Sequence, residues 1–78
     1  MSYVENLGEK LARDVLEIQN ETNDLNLIQE VSKVLEASSS TLHEAFMTAV
    51  RVYDAEKRAR QLLETKLQAA IKAAEAGR

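Results

Sequence analysis

Ser38-Ser39-Ser40-Thr41-Leu42-His43-Glu44 lies almost at the midpoint of a 78-residue chain and decides its fold. Its short hydroxyl side chains compete with helical backbone hydrogen bonds and are favoured at caps and turns. Thr41 with Glu44 three residues later fits the capping box, in which the Thr hydroxyl accepts from a backbone N–H and the Glu reaches back. One helix therefore stops near residue 37 and another starts at 42. Helix-forming stretches of nearly equal length flank the interruption, with no proline in the chain and only two glycines, Gly8 and Gly77, near its ends. The expected fold is a single all-α domain over residues 1–78, a hairpin of long helical arms at about 3–37 and 42–76.

Toward the N-terminus, Ser2-Tyr3-Val4-Glu5 repeats the capping-box pattern. Val4, Leu7, Leu11, Val15 and Ile18 follow at three- and four-residue spacing, the mark of one buried helical face. Gly8 costs about 1 kcal/mol relative to Ala inside that helix. It reads by default as a tolerated surface glycine, and otherwise as the mark of a close contact. Asn20-Glu21-Thr22-Asn23-Asp24-Leu25-Asn26 holds five Asn, Thr or Asp residues in seven, which argues for a kink or split in the first arm. An apolar phase nevertheless continues through it to Leu25, Ile28 and Leu35. A split there gives the alternative architecture, three helices of which the third is long.

Toward the C-terminus, Leu42, Phe46, Ala49, Tyr53, Leu63, Leu67, Ala70 and Ala74 share one heptad frame, interrupted by Glu56 and Arg60. Across both arms 15 of 20 frame positions are apolar, where a 45% hydrophobic composition gives about nine, so the coiled-coil-like pattern exceeds chance. A helix over 42–76 would extend about 50 Å at 1.5 Å per residue. It must lie along an equally long first arm or project into another subunit. The alanine-rich end offers little to bury, so fraying is expected after about Ile71, with Gly77 as a stop signal.

Composition bounds the function. Zero cysteines exclude a disulfide framework and thiolate metal sites, and fit a reducing compartment. The start carries no basic-then-apolar leader, and no apolar run approaches the ~20 residues that span a bilayer. A cytoplasmic protein with no membrane association is expected. Aromatics are 4% of the chain, so Leu, Ile, Val and Ala must build the core. Net charge is −3, but residues 1–38 carry three basic side chains against eight acidic, and residues 39–78 seven against five. Arms of opposite sign favour pairing within the hairpin or head-to-tail pairing of two copies, and would set register more than stability.

Motifs for chemistry are sparse. His43-Glu44-Ala45-Phe46-Met47 begins like the zinc pattern His-Glu-x-x-His, but Met47 stands at the second ligand position and the chain has no other histidine. Glu17 and Glu21 lie one turn apart without an apolar pocket to separate their pKa values. The serines have no partner base, and no glycine-rich loop could cradle phosphate. The chain is therefore expected not to be an enzyme and to need no cofactor; a metal-dependent enzyme using clustered carboxylates is the least favoured alternative. Arg51, Lys57, Arg58 and Arg60 form the one basic cluster, with Tyr53 nearby, which gives a second alternative of a nucleic-acid-binding dimer.

The two helical arms of one hairpin bury a single seam and leave apolar stripes uncovered. The expected assembly is a homodimer forming a four-helix bundle that covers Val15, Val31, Val34, Val50 and Ile71, and the expected function is a self-associating adaptor or regulator that binds a protein partner. Its contact residues are taken as Leu11, Ile18, Leu25, Ile28, Phe46, Val50, Tyr53, Leu63 and Leu67. Side chains equidistant from a turn centred between residues 39 and 40 would lie level. That sets Glu21 level with Arg58, beside Arg60, and Asp14 with Lys66, as a register-setting charged layer.

Overall fold

One residue, Ser39, does the work expected of the whole serine run. Its extended backbone (φ −158°, ψ 106°) is the C-cap of one helix and the N-cap of the next. Its N–H donates to the Leu35 carbonyl at 2.7 Å, its hydroxyl accepts the Leu42 N–H at 3.2 Å, and its carbonyl accepts the His43 N–H at 2.9 Å. Ser38 stays helical, its hydroxyl donating to the Val34 carbonyl. The interruption thus narrows from four residues to one, and Ser39 takes the capping role assigned to Thr41. The cause is that a serine hydroxyl can satisfy helix-end donors without lengthening the turn.

The computed structural model describes residues 2–77, and among them the protein is all-α: α1 (Tyr3–Thr22), α2 (Leu27–Ser38) and α3 (Ser40–Ala76). Ser2 caps α1, its hydroxyl accepting the Glu5 N–H at 3.4 Å. α1 ends where polar side chains take over backbone groups. Thr22 donates to the Ile18 carbonyl, Asn23 adopts the left-handed region at φ 57°, and the Asp24 carboxylate accepts the Asn26 N–H at 3.1 Å. Asn tolerates that conformation better than other non-glycine residues. The chain reverses over Asn23–Asn26, so the first arm is two helices. At the far end α3 continues past Ile71 to Ala76, and the Gly77 N–H closes it on the Ala73 carbonyl.

α1 lies parallel to the first half of α3, with α2 returning between them in sequence. Gly8 meets Ala45 and Arg13 meets Tyr53, so residue numbers rise together on the two helices. Ala12, Val15, Leu35, Phe46 and Val50 form the buried core, with Leu11, Leu27, Ile28, Val31, Leu42, Met47, Ala49 and Tyr53 packed around it. Of the expected face Val15 is buried and Val4 and Leu11 are half-buried, while the other buried residues of α1, Gly8 and Ala12, lie one position round from Leu7 and Leu11. Small residues win that face because they let the helix backbones approach; Leu7 and Ile18 are left exposed, and Leu25 sits 82% exposed in the turn.

Beyond Tyr53 no residue of α3 is buried or even half-buried. The second half of this helix projects from the bundle as a bare rod. The radius of gyration is 17.4 Å, against about 11.5 Å for a compact chain of this length. The longest dimension, 61 Å, is close to the length of α3 alone. No described helix is long and apolar enough to cross a membrane.

Candidate interaction surfaces

The nine residues expected at contacts separate into three environments. Phe46 and Val50 are buried inside the chain; Leu11, Ile28 and Tyr53 are half-buried against that core; Ile18, Leu25, Leu63 and Leu67 face outward. Of the stripes assigned to a second copy, Val15 and Val50 are core residues of the single chain, Val31 packs on the core, and Val34 and Ile71 are exposed. Val15 and Val50 are thus covered without a second copy. α2 folds as a separate helix and covers them intramolecularly.

The charged layer is also arranged differently. Arg58 pairs with Asp54 at 3.1 Å and Arg60 with Glu56 at 2.8 Å, each one turn back on α3 itself. Among the described residues neither Glu21 nor Asp14 takes part in an ion pair. The levelling about the Ser38–Thr41 turn assumed an antiparallel first arm, whereas α1 is parallel to α3. It applies only to α2, whose Ser32 hydroxyl meets His43 Nε2 at 2.9 Å in a half-buried contact. That bond, and its place on α3, give His43 a packing role. No group of three or more His, Asp or Glu among the described residues is placed to hold a metal ion.

Tyr53 is held by Arg13, whose Nε donates to the phenol oxygen at 2.7 Å while its Nη2 donates to Glu9 Oε1 at 2.8 Å. The Tyr53 hydrogen bond first, then the Glu9 carboxylate, raise the Arg13 pKa above its ordinary value, so it is charged at any working pH. Nothing local in the sequence announces a pair 40 positions apart. With Tyr53 engaged and Arg58 and Arg60 neutralised in their own helix, Arg51 and Lys57 are the members of the basic cluster without an ion pair among the described residues. Both line a cleft over Leu16 and Ile28, into which the Gln19 side chain also turns; its buried Oε1 lacks a hydrogen-bond partner.

The largest unspent surface lies on α3. Val52, Leu62, Leu63, Leu67 and Ile71 are exposed, Leu63 by 65% and Val52 by 58%. Val52 and Leu62 belong to a second heptad frame, Thr41, Ala45, Thr48, Val52, Ala55, Ala59, Leu62, Lys66, Ala69 and Ala73. Their +4/+3 spacing was available in the sequence, but its many small residues carry a weak hydrophobic signal. Beside the bundle this frame runs along a groove between α1 and α3, whose rim carries Glu5, Glu9 and Glu44. Comparisons with protein-family models, curated proteins and solved structures find no match for this chain.

Proposed function

We propose that the chain is a small, non-enzymatic helical interaction module of the cytoplasm, which self-associates and offers an apolar helix face to a protein partner. The observation that carries this is the projecting half of α3, which exposes Leu62, Leu63, Leu67 and Ile71 on a rod with no intramolecular cover. An isolated helix is only marginally stable in water, because most helical stability comes from packing an amphipathic face. A partner surface supplies that packing, in the helix-on-helix mode of peptide recognition. Sedimentation equilibrium tests the self-association: a dimer is expected, and a monomer across the accessible concentration range would refute it.

A nucleic-acid-binding dimer is the second reading, favoured by Arg51 and Lys57 standing without ion-pair partners among the described residues. It predicts filter-binding affinity for DNA or RNA that falls steeply with salt. Absence of such affinity at moderate salt removes it.

A further inference from the structure

Three features of the whole molecule point in one direction. The first is surface. An accessible area of 6206 Å² exceeds by about 1,500 Å² the roughly 4,700 Å² of a compact 8.7 kDa monomer. That excess is more than the ~800 Å² each partner gives to a standard-sized interface. The second is charge. The bundle, residues 2–53, carries four basic side chains against nine acidic; the rod, residues 54–77, carries Lys57, Arg58, Arg60, Lys66 and Lys72 against Asp54, Glu56, Glu64 and Glu75. Their balances are −5 and +1, so a rod is drawn to the bundle of another copy.

The third feature is register. Any heptad frame is palindromic about the middle of each of its steps, but only the centre at residue 57 sets Val52 and Leu62, the two large apolar residues of the second frame of α3, opposite each other. A two-fold axis there sets Val52 opposite Leu62 of a second copy and Ala55 opposite Ala59, each contact occurring twice. Lys66, the only charged residue in that frame from Thr41 to Ala73, then comes level with Thr48 of the other chain. Thr48 lines the groove whose rim bears Glu5, Glu9 and Glu44.

We propose, resting on the self-association above, that two copies pair antiparallel through α3, the basic rod of each lying in the acidic α1–α3 groove of the other. The contact runs from Thr41 to Ala73, about 48 Å of helix at 1.5 Å per residue. Alanines and threonines along it let the helix axes approach closely, while Val52 and Leu62 supply the apolar anchors. A parallel in-register pair would instead stack Lys66 on Lys66 and bundle on bundle. Rod-on-rod pairing about residue 65 would leave the groove empty.

The chain has no cysteine, so cross-linking reads the register without background. Val52→Cys and Leu62→Cys proteins, mixed and oxidised, should form a covalent heterodimer, whereas neither should cross-link alone. In this register two Val52 positions lie ten residues apart along the axis, about 15 Å, which no disulfide spans. Lys66→Glu should weaken the dimer about tenfold, and Lys66→Glu with Glu44→Lys should recover most of that loss. Self-cross-linking of Leu62→Cys alone would establish a parallel pair or an antiparallel pair centred on residue 62, and either would overturn the proposal. A dimer by sedimentation that yields no mixed disulfide would overturn this arrangement alone, while a monomer would remove the self-association on which it rests.

Discussion

Gly8 shows how a single absent atom positions a helix. A Cβ there would lie 2.7 Å from the Ala45 Cβ, 2.8 Å from its carbonyl carbon and 2.9 Å from the Phe46 nitrogen. Two of those neighbours are backbone and cannot rotate away. Ala at position 8 gains about 1 kcal/mol of helix propensity, but overpacking a close crossing costs about 1–3 kcal/mol, so the clash decides the sign. Gly8→Ala should lower the urea midpoint, with an unchanged denaturant slope. Adding Ala45→Gly should recover only part of the loss, because it removes the methyl and leaves the backbone contact. A stabilised Gly8→Ala protein would show that α1 does not cross α3 at this point. The sequence marked Gly8 as anomalous, yet its default reading was a surface position, since one glycine does not reveal which face of a helix meets a neighbour.

At the scale of elements, the sequence was most legible where polar side chains act locally. The Asn-rich segment announced a break, and Asn23 to Asn26 form it through an αL residue and an Asp24 turn. The serine run announced the second break, although Ser39 alone suffices for it. The packing faces were harder to read. Val15 is buried as its spacing announced, but Leu7 and Ile18 outweigh Gly8 and Ala12 in hydrophobicity and are nevertheless exposed, because the small pair lets α1 approach α3 closely over Phe46 and Val50. α3 combines two environments in one uninterrupted helix. Its amides from Leu42 to Tyr53 share the stability of the core, whereas those of the rod have only helical hydrogen bonds to protect them. Hydrogen exchange on dilute protein should therefore be slow in 42–53 and fast in 58–76, and the rod should slow as concentration rises. Equal protection along all of α3 at the lowest concentration would mean that the rod is stable without a partner.

At the scale of the molecule, a core of Ala12, Val15, Leu35, Phe46 and Val50 is small for a chain without disulfides or metal. Binding that occurs only in the folded state adds to such a margin by mass action. The melting temperature should therefore rise with protein concentration, by several degrees per kcal/mol of added stability in a domain of this size. How it responds to salt separates the forces involved. The acidic bundle and basic rod attract across exposed surfaces, where the screening length falls from about 10 Å at 0.1 M salt to about 4 Å at 0.5 M. The Val52 and Leu62 contacts are apolar and are not weakened by screening. If charge selects the pairing of rod with bundle, 0.5 M sodium chloride should flatten the concentration dependence of the melting temperature while leaving the dilute-protein value nearly unchanged. A concentration dependence as steep at high salt as at low would assign the association to apolar contact alone, and the opposite charges of rod and bundle would then have no part in choosing the register.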